Sequence, residues 1–234
     1  MTEPREIASA FAELTRTPPA DAGMPAHLGR LLRLSLELTR AAAASILTAE
    51  AGSTPSACQA TTPQARALLE QELAAGSGPS VDCLRDGRPL GPVRIVEPSP
   101  WPHLAATARE AGYTTAHGHP LRAGDVYAAG TQGALVLYTD APLDASHRHI
   151  AQALADTTAV TIAGARTLAG QTARVAQLQQ ALDSRIVIEQ AKGVLAARHR
   201  TTPDAAFTYL RDQARNTNQK IHAVAAAIVA STQR

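Results

Sequence analysis

The sequence has no apolar run of about 18 residues or more, the least a membrane-spanning helix needs, and so excludes such a span. Its first residues, Met-Thr-Glu-Pro-Arg-Glu, lack the charged-then-apolar layout of a secretory leader. Cysteine occurs twice, at Cys58 and Cys83. That is too few for a disulfide framework, and a zinc site would need other ligands. A reducing cytoplasm is the expected compartment. Aromatic residues are 3% of the chain, with a single tryptophan, so the core must be built from small aliphatic side chains. No glycine-rich loop joins a strand to a helix, and no Ser-His-Asp arrangement or paired-carboxylate motif stands out. No catalytic site, metal site or cofactor is expected.

Charge is present in unequal shares. The net charge of +2 hides a split: residues 1–163 carry 12 basic and 16 acidic side chains, residues 164–234 carry 10 and 4. The balance is therefore −4 before residue 164 and +6 after it, and both lysines, Lys192 and Lys220, lie in the basic part. A charge split of this kind points to two modules, the basic one facing a polyanion.

The patterning predicts a short helix over Ile7–Leu14, a linker to Gly23, and a helix from Pro25 to Arg40. A strand is expected within Ala41–Glu50, followed by a turn at Gly52-Ser53-Thr54-Pro55 and a helix over Thr62–Ala75. Dense glycine and proline between Gly76 and Pro102 predict a long surface excursion with one strand at Val93–Val96. A helix at His103–Ala111 and strands at Tyr113–Pro120 and Gly133–Thr139 complete an α+β domain with a mostly antiparallel sheet. Everything after Asp144 reads as helix. Leu154, Leu168, Val175 and Leu182 keep a seven-residue rhythm, with Leu178 in the second seam column. Thr161, Gly164, Gln171 and Arg185 interrupt this stripe, which fits either a short parallel coiled coil or a helix packed against a domain. Thr202-Pro203-Asp204 opens a second helix, with Phe207 expected on its apolar side, and Asn216-Thr217-Asn218 separates a third.

Arg185-Ile-Val-Ile-Glu-Gln-Ala-Lys-Gly193-Val-Leu195, then Ala206-Phe-Thr-Tyr-Leu-Arg211, then Asn218-Gln-Lys-Ile221 with Val224-Ala225, together resemble an ANTAR domain. That family is a three-helix module of bacterial regulators that binds RNA and prevents transcription termination. Upstream, Gly78-Pro79, Cys83-Leu84, Gly87-Arg88-Pro89, Trp101-Pro102, Gly112 and Pro120-Leu121 resemble the GAF domains found ahead of ANTAR modules. The resemblance implies a GAF-like antiparallel sheet flanked by helices, a helical linker or coiled coil, and a three-helix end. The expected division is 1–23 for an N-terminal helix and linker, 24–163 for the sensor domain, 164–184 for the connecting helix and 185–234 for the RNA-binding module. Stem-loops in nascent transcripts are the implied partner; a parallel homodimer is a separate expectation that rests on the broken heptad at residues 154–182. A small-molecule or protein signal would act at the GAF-like domain.

Phosphates are contacted by Arg and Lys, and unpaired bases by stacking. Arg185, Lys192, Arg198, Arg200, Arg211, Arg215 and Lys220 are the candidate RNA contacts, with Tyr209 as the stacking residue. Gly193 costs about 1 kcal/mol against alanine in mid-helix, which suggests a close approach of backbone or nucleic acid there. His117 and His119 share one face of a strand and are candidate ligand-binding residues, with no third metal ligand placed by spacing. His147 and His149 are expected at the surface. Two other readings are open: a DNA-binding regulator with a helix-turn-helix end, and a cysteine-based sulfoxide reductase of the GAF type. Against the first, Ala223-Val-Ala-Ala-Ala227 makes a poor surface for reading base edges.

Overall fold

The computed structural model describes residues 4–15, 23–49, 55–123 and 131–231. The expected turn at 52–55 lies, apart from Pro55, outside them, as does most of the linker before Gly23. The chain forms two compact units, residues 1–166 and 167–234.

In the first unit, α1 (Pro4–Thr15) and α2 (Gly23–Thr39) precede β1 (Ala43–Ala49), β2 (Pro55–Ala60) and α3 (Pro63–Ala75). Then come α4 (Pro79–Asp86), β3 (Leu90–Arg94), a 3-10 turn at Pro102–Leu104 and α5 (Ala105–Glu110). The strands β4 (Thr115–Arg122) and β5 (Thr131–Thr139) follow. The sheet order is β2-β1-β5-β4-β3, with every neighbouring pair antiparallel. All seven residues of β1 are buried, so helices cover both faces of the sheet. Alternation along the strands sorts the two cores. Ala44, Ile46, Leu135 and Leu137 face α1, α2 and the first turns of the next helix, α6 (Ala145–His199). Ala43, Ala116, Val136 and Tyr138 face Leu68, Trp101, Leu104 and Tyr113.

The stretch from Gly76 to Pro102 is not the surface excursion expected. It contains α4, and it buries Cys83, Ile95 and Trp101. The residues that read as turns punctuate that helix. Gly78-Pro79 starts it, and Gly87, at φ 61°, closes it in the left-handed region that suits glycine. The strand there runs over Leu90–Arg94, not Val93–Val96. Strand β2 was not expected, because Pro-Ser-Ala-Cys-Gln-Ala has no β-branched side chain; pairing with β1 sets its register.

In the second unit, α6 packs Ala191 and Leu195 against Ala206, Leu210 and Ala214 of α7 (Pro203–Asn216) and Val224 and Ala225 of α8 (Ile221–Ala230). The Thr202 hydroxyl accepts from the Ala205 amide at 3.3 Å, with Pro203 opening the helix.

Candidate nucleic-acid interface

Helix α7 buries Ala206, Leu210 and Ala214. Its remaining side chains fall into two rows. Phe207, Arg211 and Arg215 are spaced by four and share one outer face, while Tyr209 and Gln213 share the other. At 100° per residue Tyr209 lies about 160° from Arg211, so the candidate stacking residue is on the flank opposite the arginines. The aromatic beside them is Phe207. It was expected in the core and is instead 38% exposed. Its signal in the sequence was the four-residue spacing to Arg211.

Phe207 carries the Lys192 ammonium over its ring, 5.8 Å from the centroid. Lys192 is also paired with Glu189 at 2.9 Å, so it is less available to a phosphate than its charge suggests. On the other flank the Tyr209 ring lies 5.5 Å from that of His199, and its hydroxyl accepts from the Gln213 amide at 3.1 Å. Arg215 holds an exposed pair with Asp212 at 3.3 Å, which solvent screens to little worth. Among the described residues Arg185, Arg198, Arg200, Arg211 and Lys220 have no carboxylate within ion-pair distance. All five are exposed, with Arg198 near the end of α6 and Lys220 at the start of α8. These cations and two exposed aromatics lie within one small module, a composition suited to phosphates and unstacked bases. Gly193 is exposed, and a Cβ there would meet nothing within 4 Å. The close approach expected at this glycine is therefore not made by any of the described residues.

Opposite the packed side of α6 runs a second feature. Leu168, Val175, Leu178, Leu182 and Ile186 are between 47% and 65% exposed. At 100° per residue they fall within an arc of about 80°. Arg185 breaks the heptad, yet the stripe continues one residue later at Ile186. That four-residue step after Leu182 is a stutter, which locally unwinds a left-handed supercoil.

His117 and His119 lie together on the α6 side of β4 and are buried, at 0% and 3% exposure. The His117 Nε2 accepts from the Leu143 amide at 3.2 Å, and the His119 Nδ1 lies 3.4 Å from Gln152 Oε1. His27 on α2 is buried too, and among the described residues neither ring nitrogen has a hydrogen-bond partner. Among the described residues no group of three or more His, Cys, Asp or Glu is placed to hold a metal. Burial lowers His117 and His119 to about 4, with the Arg148 charge adding to it in both, and lowers His27 as well. A histidine kept neutral in the fold stabilises it fully above its ordinary value near 6.5, and this is lost as pH falls towards 4. Glu72, raised to about 7, works the other way, since its proton is taken up by the native state between pH 7 and 4.5. Two strongly shifted histidines outweigh one glutamate. The unfolding midpoint in urea is expected to fall steadily from pH 6.5 to pH 4.5, and a flat profile would count against neutral buried histidines.

Of the cysteines, Cys83 is buried, and desolvation pushes its thiol up to about 12, which suits packing and not nucleophilic attack. Cys58, on the edge strand β2, is part-exposed and also raised by burial.

Residues 176–229 match the ANTAR domain family, a span that begins ahead of Arg185 and takes in Leu178, Leu182 and Ile186. No curated protein matches the chain. Solved structures similar to it include the GAF domain of a phosphoenolpyruvate-protein phosphotransferase from Coxiella burnetii, at 15% identity and TM-score 0.49 over 71% of this chain and 95% of that one. Another is the GAF domain of an Acinetobacter phosphoenolpyruvate-protein phosphotransferase, at 12% identity and TM-score 0.45 over 71% and 97%. The five-stranded antiparallel sheet with helices on both faces is the architecture the GAF resemblance implies. The chain thus carries an ANTAR domain at residues 176–229, behind an α+β domain of GAF-like architecture.

Proposed function

We propose that the protein is a transcription antitermination regulator that acts in the cytoplasm, without a catalytic site, by binding stem-loops in nascent RNA. Holding such a stem-loop would prevent a competing terminator hairpin. The ANTAR match at residues 176–229 carries this reading. The unpaired Arg185, Arg198, Arg200, Arg211 and Lys220 supply phosphate contacts, while Phe207 and Tyr209 offer ring faces for loop bases. Arg215 and Lys192 join them once their carboxylates yield to phosphate.

Two chains pair in parallel through the stripe from Leu168 to Ile186, presenting two modules to two hairpins. Five apolar side chains, each about half exposed or more and aligned on one helix face, support a coiled-coil seam. The α+β domain is the input side, biasing the availability of the modules.

A binding assay comparing hairpin RNA with duplex DNA separates this reading from a DNA-binding regulator. Removing one phosphate contact by Arg211→Ala should weaken RNA binding across sequences. It should also flatten the log–log salt dependence by about 0.7 to 0.9. An unchanged slope would remove Arg211 from the interface.

A further inference from the structure

Among the described residues of the α+β domain, one carboxylate is buried without a counter-charge. Glu72 on α3 has 0% exposure and no cation pairs with it among the described residues. Its Oε2 accepts from the Ser80 amide at 2.6 Å, and the Val81 amide next along the turn also favours the charged carboxylate. Glu72 therefore caps the first turn of α4 from another helix, where amide hydrogens and the helix dipole favour an anion. Its Oε1 accepts from the Tyr138 hydroxyl at 3.2 Å, and Tyr138 Oη lies 3.1 Å from Ser45 Oγ on β1. The connection between α3 and α4 is shaped to this carboxylate. Gly78 has φ 150°, and a Cβ there would overlap the Glu72 side chain.

Each link beyond the carboxylate can run in either direction, since hydroxyls donate and accept. With Glu72 ionised, Ser45 donates to Tyr138 and Tyr138 to Glu72. With Glu72 protonated, the acid donates to Tyr138 and Tyr138 to Ser45. We propose that Glu72 is a proton-binding site of the α+β domain: one proton taken from solvent reverses the Glu72–Tyr138–Ser45 chain and weakens the carboxylate's hold on α4.

The surroundings let both forms exist. On α4, Asp82 is engaged by Arg85 and by the Trp101 indole, Asp86 by Arg85, and Cys83 is a buried neutral thiol. Tyr138 on β5 is held neutral, raised well above its ordinary value by burial and then by the Glu72 charge. From β4 the residues of this face are Ala116, Gly118 and Pro120, and from β1 they are Ala43, Ser45 and Leu47, none of which titrates. On α3 itself, Glu70 is exposed and paired with Arg66. Beyond α4, His103 lies 3.2 Å from the Ser77 carbonyl and Tyr113 stacks on Tyr138. Burial, opposed by the donors from α4 and Tyr138, brings the Glu72 carboxyl to about 7, so that both forms are populated near neutrality. The proposal does not depend on RNA binding.

The test is a pH titration of the full-length chain labelled with 13C at glutamate side-chain carboxyls. One carboxyl resonance should titrate near pH 7, well above the ordinary glutamate value of about 4.3, and be missing in Glu72→Gln. The Ser80 and Val81 amide resonances should follow the same midpoint, which a merely structural acid would not produce. Tyr138→Phe removes a donor to the ionised form and should move that midpoint upward. This second variant also identifies the resonance if Glu72→Gln does not fold. Glutamate carboxyls that all titrate in the ordinary range, or α4 amides that ignore the transition, would overturn the proposal.

Discussion

If the stripe of α6 is the seam of the proposed dimer, Leu182→Asp is expected to leave a monomer and to abolish the proposed preference for paired hairpins over one. Leu182 is 53% exposed in the single chain and stands between Leu178 and Ile186 in the stripe of α6. In a parallel seam the two copies of this residue face each other. Two carboxylates placed there would lose apolar contact and repel. Linking two binding modules raises avidity by about 10² to 10⁴ over one through effective concentration, and the variant should lose a factor of that size on tandem hairpins. Affinity for a single hairpin should be unchanged, because Leu182 takes no part in the three-helix core. Sedimentation at tens of micromolar and titration with one-hairpin and two-hairpin RNAs would measure both effects. A variant that stays dimeric would place the dimer contact elsewhere.

Leu210→Ala should unfold the C-terminal unit while leaving the α+β domain intact. Leu210 is fully buried in a core of Ala191, Leu195, Ala206, Ala214, Val224 and Ala225. Four of these six residues are alanines, whose methyl groups cannot extend into the space the leucine would leave. A buried Leu→Ala change costs about 2–5 kcal/mol, a large share of the 5–15 kcal/mol typical of a whole domain. Circular dichroism should show a lower or missing helical transition. The only tryptophan, Trp101, is buried in the other unit, so its fluorescence should report an unshifted melt. A downward shift of the Trp101 melt by the same amount would contradict two separately packed cores.

Elements with explicit punctuation were legible in the sequence. Thr62-Pro63 and Thr202-Pro203 each mark a helix start, and both hydroxyls accept from the third residue of their helix. The strand β5 showed through its aliphatic run Ala134–Leu137, and the three-helix end through its motif. Elements whose identity comes from neighbours were not legible. Strand β2 owes its conformation to β1, and the glycines around α4 read equally well as a loop. The candidate cations can be read from the sequence, but whether each is free of a carboxylate depends on packing: Glu189 reaches Lys192 and Asp212 reaches Arg215, while among the described residues Arg211 has neither. Likewise, alternation put His117 and His119 on one face, while their burial depends on α6 covering that face. Glu72 looks in sequence like a solvent-facing helix residue. Only the close return of the chain through Gly78 to α4 encloses it.

The most direct measurement of the central claim is the affinity of the full chain for an RNA with two adjacent hairpins, taken across a salt series. One-hairpin RNA and duplex DNA of equal length serve as competitors. The account predicts tight, salt-sensitive binding to the paired hairpins, weaker binding to one, and no preference for the duplex. Equal affinity for duplex DNA, or no salt-sensitive affinity for any hairpin RNA, would contradict it.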